Sequence, residues 1–153
     1  RLVDVAKFAP EGTRGVGGGI VQYDYKNVNL TDATNELNEQ TLLVAMVETP
    51  NAIENIDEIA SVKGIDVIMI GTNDLAMASG CPQDFGNPII VKSYEKVAMS
   101  CEKYGKWLGS GGVKDPDIAK KYIKMGANFF LAGQDIGFLL SASKDRIDLL
   151  RES

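Results

Sequence analysis

The sequence predicts an α/β fold, a (β/α)8 TIM barrel of which this chain covers roughly the second half, as four βα units followed by a C-terminal helix. Continuous apolar runs rich in β-branched residues alternate with helical stripes, which favours parallel strands joined by right-handed crossovers. The runs begin at intervals of about 20 to 40 residues, which suits eight units in about 250 residues. A complete four-stranded, flavodoxin-like layer is the alternative.

The first forty residues are the least regular part of the chain. RLVDVAKFA has the apolar content of the tail of a helix already under way, and the chain begins with Arg rather than Met. We therefore expect residues 1–153 to be a single domain that forms the C-terminal portion of a longer barrel. The glycine-rich residues 11–25 predict a loop, and Thr31–Gln40 predicts a short surface helix capped at Thr31 or Asp32.

The regular units follow from residue 42 onward. Thr49 and Pro50 supply an N-cap and a first-turn proline for a helix that Gly64 ends, and Asp115 and Pro116 do the same for a later helix. A glycine follows three of the predicted helices, as is common at helix C-termini; these residues are Gly64, Gly105 and Gly126. The predicted strands are Leu42–Val47, Ile65–Ile70, Lys106–Ser110 and Asn128–Ala132; the predicted helices lie within 50–63, 90–104, 115–125 and 138–150.

Composition and charge exclude several classes of function. With 44% hydrophobic and 24% charged residues, the chain has the composition of a soluble globular domain. Its net charge of −5 provides no basic patch for nucleic acid. The apolar runs are too short to cross a bilayer and no signal peptide is recognisable, so we expect a cytoplasmic protein without membrane contact. Cys81 and Cys101 have no metal or redox spacing and are expected to be reduced thiols.

Two carboxylates follow consecutive predicted strands. Glu48 comes directly after the first strand, and Asp74 comes four residues after the second. Ligands in parallel α/β folds bind beyond the carboxyl ends of the strands, so the two side chains are expected to lie close together. Oxygen ligands of this kind suit Mg²⁺ or Mn²⁺, and Mg²⁺ often takes only one or two carboxylates from a protein.

Each carboxylate also has a purely structural interpretation. Glu48 precedes a capped helix whose dipole favours an acidic residue, and Asp74 is a possible N-cap for the following LAMAS segment. The joint placement of the two at neighbouring strand ends favours the functional interpretation. Arg14 is interpreted either as an anion contact or as an ordinary surface arginine. Asp135, after the last predicted strand, is interpreted first as a helix cap.

Three blocks of sequence carry a family resemblance: APEGTRGVGG, VETPNAIENIDEIASVKGIDVIMIGTNDLA and KYIKMGANFFLAGQDIGFLL. In order and spacing they resemble successive blocks of the HpcH/HpaI aldolases, a family of the phosphoenolpyruvate/pyruvate group of (β/α)8 barrels. The resemblance implies that Glu48 and Asp74 are ligands of Mg²⁺, Mn²⁺ or Co²⁺. It also implies that a 2-keto acid such as pyruvate binds there, its carboxylate received by the turn at Thr72, Asn73 and Asp74.

The implied activity is that of a class II aldolase. Such an enzyme cleaves a 4-hydroxy-2-oxo acid, either a 2-keto-3-deoxy sugar acid or a hydroxy-oxo dicarboxylate, to pyruvate and an aldehyde, with the metal stabilising the enolate. The alternatives are oxaloacetate decarboxylation or a macrophomate-synthase-like reaction through the same enolate, and, in another class, a non-catalytic barrel fragment or assembly module. The family's base histidine and keto-acid arginine belong to strands that precede this sequence, which contains no histidine.

The chain departs from the family pattern beside the predicted site. GTNDLA stands where GPADLS is usual, so Thr72 and Asn73 replace proline and alanine and the carboxylate-binding turn is expected to differ. Met46 stands where several members carry glutamine. The resemblance further implies a homo-oligomer, a dimer or a hexamer, in which the terminal helix Phe138–Leu150 packs on a neighbouring barrel.

Overall fold

A four-stranded parallel sheet with the strands in sequential order organises the chain. The computed structural model describes residues 1–17 and 19–151. All four predicted strands are present, each displaced by one or two residues from its predicted bounds. They are β1 (Val44–Val47), β2 (Val67–Gly71), β3 (Trp107–Gly111) and β4 (Ala127–Phe130).

The helices follow the predicted order, with an additional short helix at Thr72–Ala78 and two further differences. The helix before β1 is capped by Asn29, whose side chain accepts from Thr31 N and Asp32 N, so the predicted caps at Thr31 and Asp32 were wrong. The helix after β1 is broken at Asn55 into two short pieces. The helices are α1 (Leu2–Ala6), α2 (Leu30–Gln40), α3 (Pro50–Glu54), α4 (Ile56–Ala60), α5 (Thr72–Ala78), α6 (Pro88–Tyr104), α7 (Pro116–Lys124) and α8 (Asp135–Arg151).

Apart from the cap of α2, the predicted helix-end residues were confirmed except for Gly64, because the helix before it already ends at Ala60. Thr49 accepts from Ala52 N with Pro50 in the first turn, and Asp115 accepts from two first-turn N–H groups. Gly105 ends α6 with a φ of 64°, a left-handed conformation that costs a glycine little.

The hydrophobic core lies on one face of the sheet. Ala45, Val47, Ile68, Ile70 and Leu108 pack there against buried residues of the connecting helices. Sequential order with same-handed crossovers places all these helices on that face, as in a barrel wall. A flavodoxin-like layer has reordered strands and helices on both faces, so the sequential order argues against that alternative.

The opposite face of the sheet is largely uncovered in the described part of the chain. Met46 is 51% exposed, Trp107 54% and Leu131 50%. Val67 and Met69 of β2 are the exceptions, at 0% and 7%. Gly109 on the next strand leaves room for both, since a Cβ there would lie 3.0 Å from Met69 Cβ and 3.1 Å from Val67 Cγ1. This face corresponds to the interior of a barrel, and Glu48 continues its alternation one residue beyond β1.

The N-terminal segment is anchored to α2 by buried polar groups. Phe8 N donates to Asn38 Oδ1 at 2.7 Å, and Asn38 Nδ2 donates to Phe8 O at 2.9 Å. The buried ammonium of Lys7 donates to Asn38 O and Thr41 O, carbonyls at the C-terminal end of α2, where a positive charge is favoured. The glycine-rich stretch is a loop as predicted, apart from a 3-10 turn at Val21–Tyr23; Gly18 lies outside the described residues.

Helix α8 buries none of its described residues. Its first turns expose Ile136, Phe138, Leu139 and Leu140, each by more than 60%. The helix does contact the loop after β4, because a Cβ at Gly133 would overlap the Phe138 ring. No helix among residues 1–17 and 19–151 is both long and apolar enough to cross a membrane.

The two cysteines are free thiols in different environments. Burial raises the pKa of the Cys101 thiol to about 11, and the residue is 2% exposed, whereas Cys81 is partly exposed. At pH 8 only about one Cys101 in a thousand is then a thiolate, which is the reactive form. We expect iodoacetamide to label Cys81 first and Cys101 only after unfolding, as peptide mass spectrometry would measure. Equal labelling of both residues in the native protein would contradict this arrangement.

Candidate metal and keto-acid site

The first element of the site is the junction between the ends of β1 and β2. Val47 pairs with Ile70 in the parallel register, so the next residues, Glu48 and Gly71, lie side by side. A Cβ at Gly71 would lie 2.8 Å from Glu48 Oε2 and 3.1 Å from Glu48 Cβ. The Glu48 side chain therefore crosses over the end of β2 instead of extending away from the sheet, and it can do so because residue 71 is glycine.

The second element is the start of α5. The helix begins at Thr72 directly after Gly71, with no side-chain capping hydrogen bond, and Asp74 lies exposed in its first turn. Asp74 is therefore not the N-cap that the sequence also allowed. First-turn N–H groups of a helix have no intrahelical acceptor. The turn at Thr72, Asn73 and Asp74 thus offers a carboxylate and main-chain donors at the same strand end.

Thr72 contributes to this turn through its main chain alone. Its side chain is fully buried, and Thr72 Oγ1 lies 2.7 Å from Tyr94 Oη, on the helix side of the sheet. Tyr94 Oη is also 2.7 Å from Ser110 Oγ. Sequence reasoning missed Tyr94 and Ser110, since a tyrosine at helical spacing looks like ordinary core packing; a buried serine directly before Gly111 and Gly112 was the available signal.

The loop after β3 closes the other side of the turn. Gly112 has a φ of +90°, and a Cβ there would lie 2.5 Å from Asn73 Nδ2. Both facts require glycine, and together they let the Asn73 amide rest on the backbone of the β3–α7 loop. The predicted residues Glu48, Asn73 and Asp74 are therefore collected along the carboxyl ends of β1, β2 and β3.

The donor set fits a hard divalent cation. Within the described part of the chain no group of three or more His, Cys, Asp and Glu side chains converges, so the strand ends supply two carboxylates at most. Mg²⁺ usually takes one or two carboxylates and completes its octahedron with water and substrate oxygens. Soft or nitrogen-rich sites for Zn²⁺ or Cu²⁺ need ligands that these strand ends do not carry.

The other predicted candidates lie apart from this edge. The Arg14 guanidinium lies over the Phe8 ring, with its Cζ 4.6 Å from the ring centroid, which favours the surface-arginine interpretation. Asp135 begins α8, where its Oδ1 accepts from Ile136 N at 2.8 Å, as a helix-start residue. Grooves of about 620 and 280 Å³ open near the amino ends of the strands, and neither is lined by Glu48 or Asp74.

Comparison with known proteins decides the family. The family model for HpcH/HpaI aldolase/citrate lyase matches residues 1–142. This chain belongs to the HpcH/HpaI aldolase/citrate lyase family. The resemblance predicted from three blocks of sequence is thereby confirmed, and so is the assignment to a partial barrel.

Individual relatives agree with this membership. A 2-keto-3-deoxy-L-rhamnonate aldolase of Klebsiella pneumoniae is 32% identical over 150 residues, 98% of this chain and 55% of that protein. The HpcH/HpaI aldolase of Desulfitobacterium hafniense superposes with a TM-score of 0.86 at 30% identity, over 99% of this chain and 58% of that one. The citrate synthase SbnG superposes with a TM-score of 0.75 at 27% identity, over 99% and 58%. The chain thus spans about half the length of the HpcH/HpaI relatives it matches.

Proposed function

We propose that this chain supplies the metal-binding half of a divalent-metal-dependent class II aldolase. The enzyme would cleave a 4-hydroxy-2-oxo acid to pyruvate and an aldehyde. The observation that carries the proposal is the Glu48 carboxylate folded over Gly71, at the strand end that leads directly into Asp74 and the first turn of α5. The named activity of the Klebsiella pneumoniae relative supports a 2-keto-3-deoxy sugar acid as the substrate, with a hydroxy-oxo dicarboxylate as the other possibility.

Each residue has a distinct part in this proposal. Glu48 and Asp74 would hold the cation, Mg²⁺, Mn²⁺ or Co²⁺, through their carboxylates. The bound cation would supply Lewis-acid stabilisation of the negative charge that develops on the keto oxygen. The main-chain N–H groups at Thr72, Asn73 and Asp74 would orient the keto acid by receiving its carboxylate, since they lack helical acceptors.

Asn73 distinguishes this site from the usual family pattern, which has alanine at this position. Its amide rests on the β3–α7 loop beside Gly112, so the carboxylate-binding turn is braced from a second strand end. A side-chain amide at this position adds a hydrogen-bond donor and an acceptor where the usual alanine has neither. We infer that this amide narrows the choice of keto acid rather than changing the chemistry.

Carbon–carbon bond formation is a second candidate for the same site. It is favoured by the citrate synthase at 27% identity, whose name describes synthesis instead of cleavage. The two candidates differ in their substrates: cleavage of a 2-keto-3-deoxy acid would release pyruvate, whereas a citrate-synthase-like reaction would join oxaloacetate to an acetyl group from acetyl-CoA. Separate incubations, followed for pyruvate and for citrate, distinguish them.

Assembly through α8 is part of the same proposal. The helix exposes a row of large apolar residues and buries none of its own, which is unusual for a helix that stands alone in water. We propose a homo-oligomer, a dimer or a hexamer, in which α8 covers a neighbouring barrel.

Metal removal tests the proposed activity. With 2-keto-3-deoxy-L-rhamnonate as the first substrate, we expect the full-length protein to release pyruvate at a rate that EDTA abolishes. Excess Mg²⁺, Mn²⁺ or Co²⁺ should restore that rate, because the two carboxylates alone cannot stabilise an anion. A lactate-dehydrogenase-coupled assay measures the release. Pyruvate release that persists after complete removal of metal would contradict the proposal.

A further inference from the structure

Three buried hydroxyl groups form a continuous chain behind the candidate site. Tyr94 Oη lies 2.7 Å from both Thr72 Oγ1 and Ser110 Oγ, and all three side chains are 0% exposed. A buried hydroxyl that loses its partner pays its desolvation cost without compensation. Each of the three groups is therefore held in place by the others.

The two ends of this chain lie at the carboxyl ends of β2 and β3, beside the two connections that build the site: the first turn of α5 and the β3–α7 loop, together called the two loops. Thr72 is the first residue of α5, one residue before Asn73 and two before Asp74. Ser110 is followed by Gly111 and by Gly112, the residue against which Asn73 rests. Tyr94 belongs to neither loop; it reaches both from the middle of α6.

Tyr94 is itself well fixed. Its ring stacks on Tyr122 with centroids 3.6 Å apart and planes 7° from parallel, and Tyr122 Oη donates to Phe85 O. Burial raises the pKa of the Tyr94 phenol, which therefore stays a neutral hydroxyl that donates one hydrogen bond and accepts another. It can thus bridge the two loops at any working pH.

The apolar contacts around Tyr94 cannot fix the two strand ends in the same way. Ile68, Ile70 and Leu75 hold the helices on the sheet through apolar packing, which is not directional. Two hydrogen bonds converging on one oxygen fix distance and angle at both strand ends. The sequence places hydroxyls where apolar side chains would have filled the same space.

We propose that Tyr94 is a positioning residue that fixes the first turn of α5 and the β3–α7 loop against each other and so orients Asp74 and Asn73. This inference rests on the proposed function for its consequence, the binding of a divalent cation and a 2-keto acid. The fixing of the two loops does not depend on that function.

The matched pair Tyr94→Phe and Tyr122→Phe provides the test in the full-length protein. Each variant removes one phenolic oxygen from the same stacked pair, but only Tyr94 bridges the strand ends. We expect hydrogen exchange in peptides covering 71–78 and 110–114 to accelerate about five- to ten-fold in Tyr94→Phe relative to Tyr122→Phe. Melting temperatures measure the general cost of each change and should fall by a few degrees in both variants.

Cation affinity is the second readout. We expect Mn²⁺ to bind about ten-fold more weakly to Tyr94→Phe than to Tyr122→Phe, as is typical when a partner that orients a ligand is lost. Ser110→Ala should weaken Mn²⁺ binding by a similar factor. The double variant Tyr94→Phe, Ser110→Ala should lose less binding free energy than the sum of the two single losses, because both changes break the same chain of hydrogen bonds.

The outcomes separate the inference from the proposed function. Equal exchange in the two phenylalanine variants, or unchanged Mn²⁺ affinity in Tyr94→Phe when the wild-type protein binds Mn²⁺, overturns the inference. If exchange accelerates as expected but the wild-type protein binds no divalent cation, the proposed function fails while the fixing of the two loops is supported.

Discussion

Replacing either proposed metal ligand, by Glu48→Gln or Asp74→Asn, should lower metal-dependent pyruvate release by about a thousand-fold or more. Each change keeps the size of the side chain and removes one of the charges that neutralise the cation. Lewis-acid stabilisation is worth several kcal/mol, and about 4 kcal/mol corresponds to three orders of magnitude in rate. The coupled pyruvate assay measures the rate, and titration with Mn²⁺ measures occupancy.

Glu58→Gln is the matched control for Glu48→Gln. Glu58 is exposed on α4, away from the strand ends, and losing its charge should leave both rate and Mn²⁺ affinity unchanged. Glu48 is half-buried and Asp74 is exposed, so we expect both amide variants to fold. Turnover close to that of the wild type in either variant, with metal bound normally, would remove that residue from the site.

The second large effect is expected from Gly71→Ala. The added Cβ would lie 2.8 Å from Glu48 Oε2, 3.1 Å from Glu48 Cβ and 3.2 Å from Met46 Sδ. The nearest of these atoms, Glu48 Oε2, is at the end of a flexible side chain, so we expect the carboxylate to turn away from the strand end. We expect Mn²⁺ affinity to fall about 10- to 100-fold although no ligand has been removed.

A glycine in open space separates this effect from a general cost of alanine. Gly15 has nothing within 4 Å of the position of its Cβ and no positive φ, so Gly15→Ala should leave affinity and stability unchanged. We expect Gly71→Ala to lower the free energy of unfolding, measured in urea without metal, by less than it lowers the free energy of Mn²⁺ binding. Wild-type affinity in Gly71→Ala would mean that Glu48 does not act from the observed position.

The order of the elements could be predicted from sequence because each boundary has its own chemistry. Some helix ends are set by the φ angle of a single residue, as at Pro50, Pro116 and Gly105. Others are set by a side-chain oxygen that caps the helix, as at Thr49 and Asp115. Both effects involve only residues close together in the sequence. The Asn29 cap was missed because Thr31 and Asp32 are equally good capping residues in the same short stretch. The break at Asn55 was missed because the apolar spacing continues across it.

The placement of the candidate site residues was predictable in part for a similar reason. Strand ends place Glu48 and Asp74 on one edge of a parallel sheet whatever the details of packing. The direction of a side chain depends on its neighbours across the sheet, as with Glu48 above Gly71 and Thr72 beneath Tyr94. Such contacts link residues more than twenty positions apart and leave no local pattern in the sequence.

The most direct measurement is a crystal structure of the full-length protein with Mn²⁺ and pyruvate, with the metal located by its anomalous signal. We expect one Mn²⁺ per chain, bound by carboxylate oxygens of Glu48 and Asp74, with the pyruvate carboxylate against the N–H groups of the first turn of α5. A fully occupied Mn²⁺ bound elsewhere, with neither carboxylate among its ligands, would contradict the metal site proposed for this chain.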